Sequence, residues 1–196
     1  MQTKIALTVT ASCLVEVAPV RVAPCDDAEQ VAQLLRGEPV TVLETRDGWA
    51  RIETAYAYPG WTRDEALGPA AAGEWLPRRE GDVLDEARAY LGAPYEWGGM
   101  TEAGIDCSGL VHMAFRRLGV LVPRDSWQQG QAGTEVAEED LRPGDLVCYE
   151  RHVAFWLGGG RILHASGRAG VERVLEQAEP AQLRASFRSY QRLVTD

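Results

Sequence analysis

The sequence predicts an α+β protein in which a small β-barrel precedes a domain of helices followed by strands. Residues 5–67 contain several short segments rich in β-branched residues and separated by turn residues, a pattern typical of a small barrel. Residues 81–196 start with helical periodicity and continue with strand-like segments, which favours an α+β domain. We therefore divide the chain into a barrel domain at 1–67, a linker punctuated by Pro and Gly at 68–80, and a larger domain at 81–196.

Length and charge narrow the class of protein. The 196 residues suffice for one medium or two small domains, and 45% of them are hydrophobic, as in ordinary globular proteins. The formal net charge of −9 argues against a nucleic-acid partner, because phosphate binding needs a basic surface. No run of about 18 apolar residues is present, so we expect no membrane partner. We treat the chain as a monomer.

The cysteines give little sign of metal binding. They stand at positions 13, 25, 107 and 148, without a C-x-x-C pair, which suits neither a zinc site nor a dense disulfide framework. Nothing else indicates a metal or an organic cofactor. We expect Cys13, Cys25 and Cys148 to be small core residues. A reducing cytoplasm is the simpler compartment, although a Cys13–Cys25 disulfide stays open if the protein is secreted.

The start of the first domain has two interpretations. β-branched residues dominate Ala6 to Val17, which predicts a strand. The alternative is a short signal peptide with a lipoprotein-type processing site at Cys13, which would move the protein to the cell envelope. Further along, Ala28 to Leu35 has helical character and interrupts the strands.

Cys107 stands where a Gly/Pro-rich stretch gives way to helical periodicity. A first helix is predicted over Asp82 to Tyr90, and Pro94 to Gly99 cannot form regular helix. A second helix begins near Cys107, because apolar residues then recur at three- and four-residue spacing: Leu110, Val111, Ala114, Phe115 and Leu118. The unpaired N–H groups of a helix N-terminus favour a thiolate, so Cys107 is a candidate nucleophile.

A cysteine nucleophile needs an imidazole base and a polar group that orients the base. His112 lies about 140° around the helix from the cysteine, so we expect it at the surface or in packing. His152 and His164 flank a hairpin with three consecutive glycines. A three-residue loop closed by residues 157 and 161 would put both imidazoles on one sheet face, whereas a two-residue loop would separate them.

Five further motifs stand in one order along the second domain: Tyr90 to Gly99, Asp106 to Val111, Pro143 to Val147, His152 to Gly158, and His164 to Ser166. In order and spacing they resemble the NlpC-type cell-wall cysteine peptidases. Residues 5–67 more loosely resemble a bacterial SH3-like domain, through short motifs such as Asp47-Gly48-Trp49 and Tyr58-Pro59-Gly60-Trp61.

The resemblance implies a papain-like NlpC-type catalytic domain preceded by an SH3-like barrel. It implies that Cys107 is the nucleophile, that His152 is the general base and acid, and that His164 orients His152. It also implies that the Tyr95 hydroxyl stabilises the oxyanion, for which chemistry needs a donor aimed at developing charge. A packed loop aromatic is the alternative for Tyr95.

Chains that combine these two domains are similar to γ-D-glutamyl-L-diamino acid endopeptidases, many of which need a free N-terminal L-alanine on the peptide. The resemblance then implies that Asp106 holds the alanine ammonium. Helix capping is the alternative for Asp106, and a carboxylate beside the nucleophile opposes thiolate formation. The other implied substrate contacts are Ser108 and the run Arg124, Asp125 and Ser126 for the D-glutamate carboxylate, Trp97 for the first-residue pocket, and Glu38 and Tyr58 from the SH3-like side.

The predicted function is therefore a cysteine peptidase that hydrolyses the γ-D-glutamyl–L-diamino acid bond of peptidoglycan-derived peptides. Cytoplasmic recycling of murein peptides is the expected setting. A non-catalytic cell-wall binder, or an amidase or acyltransferase on the same fold, is the alternative. The intact run Asp106-Cys107-Ser108 favours the peptidase.

Overall fold

In a computed structural model the chain divides into two compact units, with the boundary between Trp75 and Leu76. The structure describes residues 9–70, 75–76 and 79–193. Part of the predicted linker, residues 71–74 and 77–78, lies outside the described residues, as does the start of the predicted first strand.

The first unit is a seven-stranded antiparallel sheet. Its spatial order is β3-β2-β6-β5-β4-β1-β7. The strands are β1 (Val9–Cys13), β2 (Val17–Arg21), β3 (Gln30–Leu35), β4 (Pro39–Arg46), β5 (Trp49–Thr54), β6 (Pro59–Arg63) and β7 (Leu67–Pro69).

Two expectations for this unit are wrong. The stretch from Ala28 to Leu35 is not a helix, because Gln30–Leu35 is strand β3, which pairs with β2 and buries Ala32 and Leu34 completely. Cross-strand burial overrides the helix propensity of its Ala, Gln and Leu residues. The segment up to Val17 is not one strand either, since β1 ends at Cys13 and β2 starts at Val17.

The predicted linker also begins too early. Strand β7 pairs with β1, with Cα partners Ser12↔Gly68 and Ala11↔Pro69. Gly68 and Pro69 therefore belong to the sheet, where a proline is tolerated on the edge strand that β7 provides.

The second unit combines four short helices with a six-stranded antiparallel sheet of order β10-β15-β11-β12-β13-β14 and a two-stranded hairpin, β8-β9. The helices are α1 (Val83–Arg88), α2 (Cys107–Arg117), α3 (Ser126–Gln129) and α4 (Ala181–Arg184). The strands are β8 (Met100–Thr101), β9 (Gly104–Ile105), β10 (Thr134–Glu135), β11 (Leu146–Tyr149), β12 (His152–Gly158), β13 (Arg161–Ser166), β14 (Arg173–Ala178) and β15 (Phe187–Arg192).

The six-stranded sheet is covered on both faces. Helix α2 packs on one face, where the rings of Phe115 and Phe155 lie 6.1 Å apart. On the other face a second apolar cluster forms around Val147, Ala154 and Ile162, with Leu183 packed against it. Burial on both faces explains why the central strands read as nearly continuous apolar runs.

Helix α2 is more deeply buried than its periodicity predicts. Every residue from Cys107 to Arg116 is buried, including His112, whose Nδ1 lies 2.8 Å from the carbonyl oxygen of Val122. His112 is thus a packing residue. All four cysteines are free; Cys13 and Cys148 are buried as expected, but Cys25 is exposed, so its assignment to the core is wrong. Among the described residues, no helix has the length and hydropathy that crossing a bilayer requires.

Candidate active site

Cys107 is the first residue of α2, and its neighbour Asp106 caps that helix. Asp106 Oδ1 accepts the Gly109 N–H at 2.7 Å, and Oδ2 accepts the Gly98 N–H at 2.8 Å. An aspartate N-cap satisfies an amide that would otherwise lack a partner at the helix start. The glycine-rich stretch before the helix is thereby fixed to the residue that precedes the cysteine.

A buried ion pair joins the same carboxylate to Arg124. The guanidinium nitrogens lie 2.9 and 2.8 Å from Asp106 Oδ1 and Oδ2, and one of them also donates to Ser108 Oγ at 2.9 Å. The Arg124 side chain is 1% exposed. With the Ser108 hydroxyl at 3.3 Å, five donors surround the Asp106 carboxylate. The Asp106 carboxylate thus caps α2 and pairs with Arg124, and its contact with a substrate ammonium stays a prediction.

Two backbone N–H groups act on the Cys107 sulfur, that of Val153 on strand β12 and that of Ser108 in its own helix. Both favour the thiolate. Burial first, and then the Asp106 charge, raise the pKa of the thiol to about 12, against the opposite effects of the two N–H groups and of Arg124. His152 is the residue immediately before Val153 on β12.

The hairpin that carries His152 and His164 has a different loop from the predicted one, although both side chains still lie on one face of the sheet. Its loop has two residues, Gly159 and Gly160, with φ of +58° and +70°, and Gly158 pairs with Arg161. A bulge between Trp156 and Gly158 shifts the register by one residue. The predicted three-residue loop is therefore wrong, but the bulge restores the parity that a two-residue loop alone would have broken.

The two imidazoles meet on one face of the sheet, as predicted. His152 Nε2 lies 2.7 Å from His164 Nδ1, and the ring planes are 89° apart. On its far side, His164 Nε2 lies 2.8 Å from the Gln177 side-chain nitrogen. Burial lowers the pKa of both imidazoles, to about 3 for His152, where His164 adds to the effect, and to about 4 for His164. Both rings are neutral at pH 7.

These histidines and Tyr95 line a cavity of about 510 Å³. Burial raises the pKa of the Tyr95 phenol, and the next cause is the charge of Cys107, so the phenol keeps its proton and shares the electrostatic surroundings of the sulfur. The Tyr95 ring packs on Gly167, where a Cβ would lie 2.9 Å from a ring carbon. The other lining residues are Ser166, Gly167, Arg168, Val171, Gln177, Pro180, Gln182 and Leu183.

The other predicted substrate-contact residues are not among those that line this cavity. Trp97 is 57% exposed and is not among the lining residues. Asp125 is the N-cap of α3, and Ser126 is its first residue. Glu38 and Tyr58 are buried in the first unit; Glu38 Oε2 accepts the Leu35 N–H at 3.1 Å, and the Tyr58 N–H donates to Thr54 Oγ1 at 3.0 Å.

Sequence reasoning missed Gln177. The register of β14 against β13 is the signal that would have placed it beside His164. That register depends on the irregular connection over residues 167–172, whose path cannot be counted from residue types. Within the described part of the chain, no cluster of three or more His, Cys, Asp or Glu is arranged to hold a metal ion.

Comparison with known proteins identifies both halves of the chain. Residues 92–187 match the NlpC/P60 family, and residues 20–67 match the bacterial dipeptidyl-peptidase SH3 domain. A γ-D-glutamyl-L-lysine dipeptidyl-peptidase of Bacillus subtilis is 38% identical over 92 residues, which cover 43% of this chain and 31% of that protein. The peptidoglycan endopeptidase RipB of Mycobacterium tuberculosis is 40% identical over 105 residues, covering 45% of this chain and 44% of RipB.

The chain thus spans less than half the length of these two relatives. A crystal structure of an NlpC/P60 family protein from Bacillus cereus superposes with a TM-score of 0.57 at 22% identity, covering 95% of this chain and 63% of that one. This likeness concerns the fold, and with the two family matches it confirms the predicted fold class. The chain contains an NlpC/P60 domain preceded by an SH3 domain of the bacterial dipeptidyl-peptidase type.

Proposed function

We propose that the protein is a cysteine peptidase that hydrolyses the γ-D-glutamyl–L-diamino acid bond of peptidoglycan stem peptides. One observation carries this proposal: His152 bonds directly to His164 and immediately precedes Val153, whose backbone N–H favours the Cys107 thiolate. A buried thiol, an imidazole and an orienting group are what nucleophilic acyl transfer requires. The names of the two relatives, a γ-D-glutamyl-L-lysine dipeptidyl-peptidase and a peptidoglycan endopeptidase, support the substrate class.

The proposed reaction has two stages. His152 takes the thiol proton as the Cys107 sulfur attacks the γ-glutamyl carbonyl carbon. The C–N bond then breaks, the leaving amine takes the proton from His152, and a thioester remains on the sulfur. Water adds to the thioester with His152 again accepting a proton, and this proton returns to the sulfur as the glutamyl carboxylate leaves.

Charge that develops on the carbonyl oxygen needs a donor. Tyr95 fits this role, because its pKa is raised by burial and by the charge of Cys107, so its hydroxyl keeps a proton to donate. The cavity that Tyr95 shares with the two histidines offers room for the peptide around the reacting bond.

The glutamyl side of the substrate is proposed to meet Ser108 and the run from Arg124 to Ser126. Asp106 then acts by holding Ser108 and Arg124 in place, since its own carboxylate is already surrounded by donors. We also propose a preference for a free N-terminal L-alanine, for which Asp106, Trp97, Glu38 and Tyr58 are the predicted contacts. The four cysteines are unpaired, which suits the reducing cytoplasm that we propose as the site of murein peptide recycling.

A peptide assay tests the proposal. The protein is incubated with L-Ala-γ-D-Glu-diaminopimelate and with its N-acetylated form, and released diaminopimelate is measured. We expect release only from the free-amine peptide, with loss of activity in Cys107→Ala and His152→Ala. Cys25→Ala, at an exposed cysteine outside the cavity, is the matched control and should match the unaltered protein. An active Cys107→Ala protein would refute the assignment, and binding without hydrolysis would favour the non-catalytic alternative.

A further inference from the structure

We propose that Gln177 is a positioning residue that decides, through the orientation of its amide, whether His152 can accept the thiol proton. The proposal deepens the proposed function, because it concerns the same proton transfer. Its basis is an unbroken chain of three polar side chains: His152 Nε2 to His164 Nδ1 at 2.7 Å, and His164 Nε2 to the Gln177 amide at 2.8 Å.

The sheet places Gln177 at this end of the chain of contacts. In the ladder of β13 with β14, His164 is opposite Leu175 and Ile162 is opposite Gln177. Gln177 is therefore the diagonal neighbour of His164 on the same face, a position that long side chains reach across antiparallel strands. Both ring nitrogens of His164 are thus engaged, one by each neighbour.

Each neutral imidazole carries one N–H and one bare nitrogen. The donor-to-acceptor direction of one hydrogen bond in the chain therefore fixes the direction of the next. In the structure the amide nitrogen of Gln177 faces His164 Nε2. An amide NH₂ only donates, so His164 Nε2 must be bare and His164 Nδ1 must carry the proton. That proton is donated to His152 Nε2, which leaves the single proton of His152 on Nδ1. In this state His152 has no free lone pair for the thiol.

Rotation of the amide by about 180° removes the donor from His164 Nε2. Each ring then loses its Nδ1 proton to water and takes one from water on Nε2, so that every bond in the chain reverses without a ring moving. The amide oxygen then accepts from His164 Nε2–H, His164 Nδ1 accepts from His152 Nε2–H, and His152 Nδ1 is bare. The thiol proton can now pass to His152 Nδ1, and no proton moves between the two histidines. Gln177 therefore selects between a resting and a competent tautomer of the base.

Three substitutions separate this role from simple packing. Gln177→Glu presents only acceptors, which fixes the competent tautomer. Gln177→Lys presents only donors, which fixes the resting one. Gln177→Met has similar length but no directional preference. Gln131→Met, at an exposed glutamine outside the cavity, is the matched control.

The first measurement is the tautomer itself, read from imidazole nitrogen chemical shifts of protein labelled with ¹⁵N-histidine. The chain has only three histidines, so the two relevant rings can be assigned with His164→Gln. We expect both His152 and His164 to carry the proton on Nε2 in Gln177→Glu and on Nδ1 in Gln177→Lys. Identical tautomers in these two variants would overturn the proposal, whether or not the protein hydrolyses a peptide.

The second measurement is the split between kcat and KM for the stem peptide. We expect Gln177→Lys and Gln177→Met to lower kcat by roughly tenfold or more with little change in KM, short of the ~10²–10⁴ that a general base supplies. Gln177→Glu should rescue kcat, and Gln131→Met should leave it unchanged. Equal losses of kcat in the Glu and Lys variants, with thermal unfolding unchanged, would overturn the role of the amide.

Discussion

At the scale of a single residue, opposing influences set the pKa of the Cys107 thiol. The start of a helix favours a thiolate, and the backbone N–H groups of Val153 and Ser108 lower the pKa of the thiol. Burial works in the other direction and is the largest cause, followed by the Asp106 charge, so the pKa of the thiol is raised to about 12. His152, with its pKa lowered to about 3, does not hold the proton either. The resting pair is thiol and imidazole, and the proton moves only during attack.

This predicts how Cys107 reacts with iodoacetamide. Only the thiolate is alkylated, so the modification rate should rise about tenfold per pH unit between pH 7 and 10. The measurement is mass-spectrometric mapping of the Cys107 peptide, in a Cys25→Ala background that removes the exposed thiol. A rate that is already constant between pH 6 and 8 would contradict a neutral pair, because a thiolate–imidazolium pair is fully reactive there.

At the scale of elements, the sequence predicts the start of α2, the strands β11 to β13 and the shared face of the two histidines, but not the hairpin loop between β12 and β13. Alternation and consecutive glycines indicate a hairpin around residue 159, and both loop glycines adopt positive φ. The bulge after Trp156 leaves no trace in residue types, since it depends on how β12 pairs with β13. For the same reason the residue types did not indicate Gln177, because its place beside His164 depends on how β14 pairs with β13.

The ion pair that anchors helix α2 gives a prediction about stability. Arg124→Met should destabilise the protein by about 3–5 kcal/mol, because it leaves the Asp106 carboxylate buried without its countercharge. The double variant with Asp106→Asn should cost less than Arg124→Met alone, since the amide oxygen can still cap Gly109 and no buried charge remains. Urea unfolding followed by fluorescence measures both free energies of unfolding.

Arg188→Met is the matched control for that series. Arg188 pairs with Glu150 at 3.2 Å in the same unit, but the two side chains are 59% and 62% exposed. An exposed pair contributes at most about 1 kcal/mol, so this variant should unfold close to the unaltered protein. Equal losses in Arg124→Met and Arg188→Met would show that the Asp106–Arg124 pair is not an anchor of α2.

At the scale of the whole molecule, the sequence predicts two units of different composition. The two units also differ in whether they contain histidines. All three histidines of the chain lie in the second unit. Burial is the first cause that lowers each of their pKa values, to about 3 for His112 and His152 and about 4 for His164. The ordinary value for an unfolded chain is about 6.5. The function of the second unit therefore depends on rings that must stay neutral inside the fold.

The linkage between protonation and folding then has a definite sign. Between pH 6.5 and 5 the unfolded chain binds protons on these histidines and the folded chain does not, so the free energy of unfolding falls as the pH falls. The slope is on the order of 1 kcal/mol per pH unit for each histidine. The stabilisation is fully present above pH 6.5, and His164→Gln should reduce the slope by about a third if the three contribute equally.

Hydrogen exchange along a urea titration measures the pH dependence of the free energy of unfolding separately for the two units. Peptides from β11 to β13 should lose protection at lower urea at pH 5 than at pH 6.5, after correction for intrinsic exchange rates. Peptides from β4 and β5 provide the internal comparison, because the first unit contains no histidine to charge over this interval. An equal shift in both units would point to the general charge balance of the chain instead. No shift in either would mean that the folded chain takes up protons on these imidazoles between pH 6.5 and 5 as the unfolded chain does, which would contradict rings that stay neutral in the fold.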